Sequence, residues 1–258
     1  MVRADALESR PRFVHSRAFV STVAVLLFLA FWEIAPRMHW MNATFTSEPS
    51  RVVTASLEIV RSGELLRDVS VSLWEFTLGI IFAVLVGVPI GLMLGTFRTL
   101  RYFLDPPVMA LYATPQLALL PIFVVWLGIG VGSKVAVVFV GAVIPIIVNS
   151  IAGVREVDPS LVVAARSFCA KQRDVFSKVI FPASLPAVMI GIRLGISRGV
   201  LGVIVAEMYV SQSGVGNQIM RYGSAFRVDY LLFYVILVSV FGFTATTAVR
   251  ALEERLRR

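Results

Sequence analysis

The sequence predicts an all-α, polytopic membrane protein with six transmembrane helices. Three observations carry this expectation. Of the 258 residues, 57% are hydrophobic and only 16% are charged, whereas a water-soluble domain carries roughly 25% charged residues. The mean hydropathy is +0.83. Uncharged runs recur along the chain, several near the length of about 20 residues that a spanning helix needs, and basic residues flank them.

The runs come in order. Ala18–Trp32 is short and follows Arg3, Arg10, Arg12 and Arg17. A cleaved signal peptide is the alternative there, but no small-x-small site follows and Phe31-Trp32-Glu33 is a poor cleavage region. The segment Arg37–Val71 is too polar to span. It is expected as an outer loop with an interfacial helix near Ser50–Ser62. Phe76–Phe97, Pro106–Ser133 and Val135–Val154 follow as uncharged spans. Ile180–Ala206 is a fifth span interrupted by Arg193 and Arg198, and Tyr230–Val249 is the sixth.

Charge sets the expected orientation. The net charge of +8 and pI near 10.2 would suit a nucleic-acid partner, but the Lys and Arg residues sit at the ends of apolar runs. That placement is the positive-inside pattern. With the N-terminus inside, 15 basic residues fall in the cytoplasm and 7 outside, Lys134 among the latter, with Arg193 and Arg198 in the membrane. Both termini and the Arg155–Lys178 loop are therefore expected in the cytoplasm. The single cysteine, Cys169, excludes an internal disulfide. His15 and His39 lie far apart, so neither a metal site nor a cofactor of the chain's own is expected.

Small and kinking residues have two readings each. Gly87, Gly91 and Gly95, and Gly191, Gly195 and Gly199, repeat every four residues. Such stripes allow close helix packing, within the subunit or against a second copy. Pro115, Pro121 and Pro145 interrupt apolar segments, as kinks in ordinary packing or around a cavity. Gly128–Lys134 resembles a phosphate loop but lacks the Gly-Lys-Ser/Thr order. It is expected as a turn between two helices. Arg193 and Arg198 are costly in a membrane and mark function or an internal carboxylate partner. Glu207 falls near the outer surface as a gating residue, a substrate contact or an interfacial anchor. Glu75 is available for an ion pair with an Arg on another helix.

The stretch Val163–Pro182, VAARSFCAKQRDVFSKVIFP, lies between two apolar runs. Asp158-Pro159 is a helix start, with Asp as cap and Pro in the first turn. Leu161, Ala164, Ala165 and Phe168 then share one face of a helix. Periodicity alone leaves this face either on its own bundle, in the lipid headgroups, or on a partner.

The stretch resembles the cytoplasmic EAA loop of permease subunits of ABC importers. Ala164, Ala165, Val179, Phe181 and Pro182 fall at matching or near-matching positions. Val163 stands where the family usually has Glu, and Cys169 where it usually has Gly. Ser72-Leu73 with Gly79 is similar to the opening of the permease core, with Glu75 at a place where a basic residue is common. Pro115–Pro121 with Trp126–Gly130, Gly191–Leu194, Ala206–Met208 and Ser213–Gly216 resemble the nitrate/sulfonate/taurine branch.

The resemblance implies a type I ABC importer permease (MetI-like) core over residues 65–249. Residues 1–64 then hold the tail, first helix and outer loop, and 250–258 form a basic tail. It implies a coupling loop at 155–181, whose docking residues are Asp158, Leu161, Ala164, Ala165, Arg166, Phe168, Cys169 and Pro182. Implied partners are an ABC ATPase subunit that binds the ATP, an extracytoplasmic solute-binding protein and a second permease copy. The implied cargo is a sulfonate, taurine or nitrate, with a thiamine or riboflavin precursor as the alternative. Gln116, Arg193, Arg198 and Glu207 are the candidates for pathway or gating roles. No nucleophile–base set or metal-ligand pair points to an enzyme. A secondary transporter or channel is the rival, and it predicts inverted repeats and broken helices near the midplane.

Overall fold

The computed structural model describes residues 17–42 and 45–256, and every regular element among them is helical. The helices are α1 (Arg17–Arg37), α2 (Pro49–Ser62), α3 (Glu64–Thr96), α4 (Arg98–Ala113), α5 (Leu120–Leu127), α6 (Val131–Arg155), α7 (Pro159–Ser167), α8 (Gln172–Val175), α9 (Phe181–Val210), α10 (Val215–Ser224) and α11 (Val228–Leu256). A 3-10 turn, Gln116–Leu119, precedes α5, and a π-helical turn, Phe176–Ile180, joins α8 to α9. Five helical runs are long and apolar enough to cross a membrane: α1, α3, α6, α8–α9 and α11. Arg98–Ala113 and Gln116–Leu127 are together long and apolar enough for one further candidate span, bent by 92° at the break between them. Helices suit this setting because each satisfies its backbone hydrogen bonds internally, where lipid offers none.

The core forms around α6, which packs between α3 and α9. Val137, Val138, Ala142 and Ile146 of α6 are wholly enclosed. Glycines make the contact close. A Cβ on Gly87 would come to 2.9 Å from Ile146 Cγ2, and one on Gly91 to 2.5 Å from Ser150 Cβ. Gly79 and Gly95 meet Val138 and Val154 in the same way. On α9, Gly191 faces Asn149 and Ile146, Gly195 faces the Ala142 carbonyl, and Gly199 faces Ile80 and Phe76. Both glycine stripes therefore pack inside the subunit. The small residues bring backbones together where no hydrophobic drive separates protein from lipid. By contrast, Leu27 and Phe28 of α1 and Phe243 of α11 are exposed, as lipid-facing surfaces are.

The structure revises several expected boundaries. The second span begins at Glu64, well before Phe76, so Asp68 is a buried helix residue rather than outer loop, and Ser72 and Glu75 are buried along the same helix. Their polarity is met by partners inside the protein, which composition cannot reveal. The interfacial helix falls close to where expected, as α2, with Val52, Ala55 and Ile59 turned inward.

The run Pro106–Ser133 is not one continuous helix. Thr114 is extended (φ −73°, ψ 135°), as a residue before proline prefers. Pro115 offers no N–H, and Pro121 sits in the first turn of α5. Pro145, however, sits within an unbroken α6. The glycine-rich turn ends at Gly130, and α6 starts at Val131. Lys134 is therefore not an outer-loop cation but a buried residue of α6. The terminal basic residues Arg3, Arg10, Arg12, Arg257 and Arg258, which enter the orientation count, lie outside the described residues.

Candidate functional site: an exposed loop helix and a buried polar latch

The loop after α6 builds α7 as the sequence predicts. Asp158 caps it, its carboxylate accepting from the Ser160 N–H at 2.8 Å. That hydrogen bond holds the Asp158 carboxyl below its ordinary value. Pro159 occupies the first turn. Leu161, Ala164 and Phe168 point outward, and Phe168 is 87% exposed. Ala165 departs from that face: it is half-buried together with Val162. Arg166 is exposed and donates to Gln172 Oε1 at 3.4 Å.

Cys169 ends the helix with φ +58°. Its N–H donates to the Arg166 carbonyl at 2.9 Å, and the Ala170 N–H donates to Ala165 at 3.1 Å. This pair of bonds is the Schellman arrangement, whose left-handed residue is usually Gly. The position where the EAA pattern carries Gly is thus the one that needs a positive φ. The linker then turns inward, with Val175 and Ile180 buried. Pro182 lies in the first turn of α9. It cannot donate to the chain before it, and the π-helical turn, closed by Phe181 N–H to Phe176, absorbs the mismatch.

At the other end of α9, a buried polar cluster holds the turn into α10. Three consecutive backbone N–H groups each find a different side chain. Gly214 donates to Asp68 Oδ1 at 3.0 Å, Val215 to Ser72 Oγ at 2.9 Å, and Gly216 to Glu207 Oε2 at 2.7 Å. Gln218 Nε2 adds a bond to Asp68 Oδ2 at 2.7 Å. The free amides and positive end of α10 are thereby neutralised by carboxylates from α3 and α9. Gly214 has φ +105°, and a Cβ on it would strike the Glu207 carboxylate, which explains the glycine there. Lys134 pairs with Glu75 and donates to Ser211 Oγ at 2.9 Å.

The four pathway candidates separate. Glu207 is fully buried and braces the latch, so it is not an interfacial anchor. Arg193 pairs with Glu253 of α11 at 3.3 Å. Glu75 finds Lys134 rather than an Arg. Arg198 and Gln116 line one cavity of about 230 Å³, beside Pro115 at the broken span and Gly141, Leu201 and Gly202.

Sequence reasoning missed the latch because its members come from four separated segments. One signal was available: Asp68, Ser72, Glu75 and Gly79 fall at helical spacing on one face.

The broken span matches one expectation of the secondary-transporter rival, but the comparisons decide between the families. The model of a binding-protein-dependent transport system inner membrane component matches residues 87–258. The chain is 33% identical over 253 residues to a Bacillus subtilis (strain 168) protein named as an aliphatic sulfonates transport permease, SsuC, covering 98% of this chain and 92% of that one. It is 30% identical over 242 residues to the taurine transport system permease protein TauC of Escherichia coli (strain K12), covering 92% and 87%. The inward-facing MetNI methionine ABC transporter shares the fold, with TM-score 0.69 at 19% identity over 77% of this chain and 98% of that chain. An all-helical core of this shape, matched over most of its length, makes the chain a member of the binding-protein-dependent inner membrane components, the permease subunits of ABC importers.

Proposed function

We propose that this permease passes small sulfonates, aliphatic sulfonates or taurine, across the cell membrane for a binding-protein-dependent importer. The observation that carries this reading is the similarity to two permeases named for such cargo over more than nine-tenths of the chain. A solute-binding protein delivers cargo on the outer side, and a separate ATPase subunit supplies the energy, with no cofactor on this chain. Two copies of the chain form the pathway.

Coupling runs through α7. Its exposed face of Leu161, Ala164 and Phe168 suits a groove on the ATPase, with Arg166 at the rim. Asp158 and the Cys169 turn fix its ends, and Pro182 with the π-helical turn joins it to α9. A push on α7 is thus delivered to the helix that carries Arg193, Arg198 and Glu207. In this orientation α7 is cytoplasmic, the Ser211–Gly216 turn is outside, and both termini are cytoplasmic.

Uptake of radiolabelled taurine, ethanesulfonate and nitrate, in cells carrying the complete transporter, tests the proposal. Uptake of a sulfonate that needs both the binding protein and this chain is expected. Uptake of nitrate alone, or of none of the three, would overturn the sulfonate assignment.

A further inference from the structure

We infer that Arg198 and Gln116, at the break in the α4–α5 span, form a subsite that holds the anionic head group of the cargo during passage. The inference rests on the proposed sulfonate cargo and names the residues that would recognise it.

The first support is depth. Arg198 lies 12 residues before Val210 on α9, about 18 Å along the helix. That places it far from either end of an apolar span, where an arginine needs a partner or a wet cavity.

The second support is the lack of a carboxylate. Lys134 has Glu75, and Arg193 has Glu253. The Arg198 side chain has no ion pair or hydrogen bond with any described residue. Its charge is left free at the wall of the 230 Å³ cavity.

The third is the make-up of that cavity. No acidic residue lines it, so nothing in it competes for the guanidinium or attracts a cation. Gly141 and Gly202 keep its wall low beside Arg198. Gln116 brings a neutral amide donor from the broken segment, the kind of irregular backbone that membranes tolerate around a cavity. A planar guanidinium fork binds two oxygens of a sulfonate, as it binds those of phosphate or carboxylate. One amide N–H is then available for the third oxygen. One arginine per cavity, with no second cation in its lining, holds an anion without trapping it, as passage requires.

The test uses the complex of this chain with its cognate ATPase and binding protein in proteoliposomes, with labelled taurine and ethanesulfonate. Arg198→Gln is expected to lower uptake at saturating binding protein by about tenfold or more, the scale of one hydrogen-bonded charge. Arg198→Lys is expected to recover part of it, since charge returns without the fork. Gln116→Glu supplies a carboxylate beside Arg198 and is expected to lose uptake with the arginine intact. This variant changes no packing volume, so it decides the matter if Arg198→Gln fails to assemble. Wild-type sulfonate uptake by Arg198→Gln, or by Gln116→Glu, would overturn the subsite while leaving the sulfonate importer standing. A wild-type complex that carries neither taurine nor ethanesulfonate would overturn both.

Discussion

Cys169 carries a strain that its neighbours do not. A side chain at φ +58° costs roughly 1–2 kcal/mol relative to glycine. Cys169→Gly should therefore stiffen the end of α7, and the amides of Cys169 and Ala170 should exchange hydrogen about five- to thirtyfold more slowly by local opening. Exchange no slower than in the parent would mean that the strain is relieved elsewhere. At the opposite end of the core, Lys134 and Glu75 are both almost fully enclosed. Removing one partner leaves the other buried and unpaired. Lys134→Met should destabilise the protein by about 3–5 kcal/mol, and adding Glu75→Leu should restore most of the loss. Thermal unfolding of the detergent-solubilised single and double variants measures the difference. A double variant no better than Lys134→Met would assign lysine's role to Ser211 instead.

Among the described helices outside the spans, α7 presents an exposed apolar face of Leu161, Ala164 and Phe168. Leu161 and Ala164 test its docking better than Ala165, which is half-turned into the subunit and closes the Schellman turn. Leu161→Glu and Ala164→Glu should each abolish co-purification of the ATPase while leaving membrane insertion unchanged, because an unpaired carboxylate in the groove costs several kcal/mol. Retention of the ATPase by both variants would remove α7 from the interface. The capping bond of Asp158 has a pH sign. Its carboxyl lies below the ordinary value, so its contribution is present above the usual carboxylate range and fades only as pH falls through the lowered value. Docking should not change between neutral and mildly acidic pH through this group. The α4–α5 break places Gln116 beside the cavity that Arg198 lines, the location of the proposed subsite.

For the whole molecule, orientation decides whether α7 can meet an ATPase at all. On a Cys169→Ser background, Lys171→Cys should react with an impermeant thiol reagent only after the membrane is opened. Arg221→Cys, whose parent side chain is half-exposed on α10, should react in intact cells. Gln218, in the same helix, would be a poor probe because it is buried against Asp68. Reaction of Lys171→Cys from outside would reverse the expected topology and withdraw the proposed coupling role of α7.

The all-helical spans, the loop helix with its Asp158 cap and the glycine stripes were legible because each is a local matter. A span shows as length without charge, a cap as one residue type beside the next, and a stripe as a four-residue period. The break at Thr114-Pro115 was only half legible, since proline marks a kink without saying how far the chain turns. Tertiary structure alone decided the partners of the buried charges. Glu75 with Lys134, Arg193 with Glu253, and Asp68, Ser72 and Glu207 on the turn before α10 join residues that lie far apart in the chain. The sequence announces the cost of such a charge in a membrane. Only the packing of α3, α6, α9 and α11 shows which charges that cost leaves paired, and that Arg198 is left free.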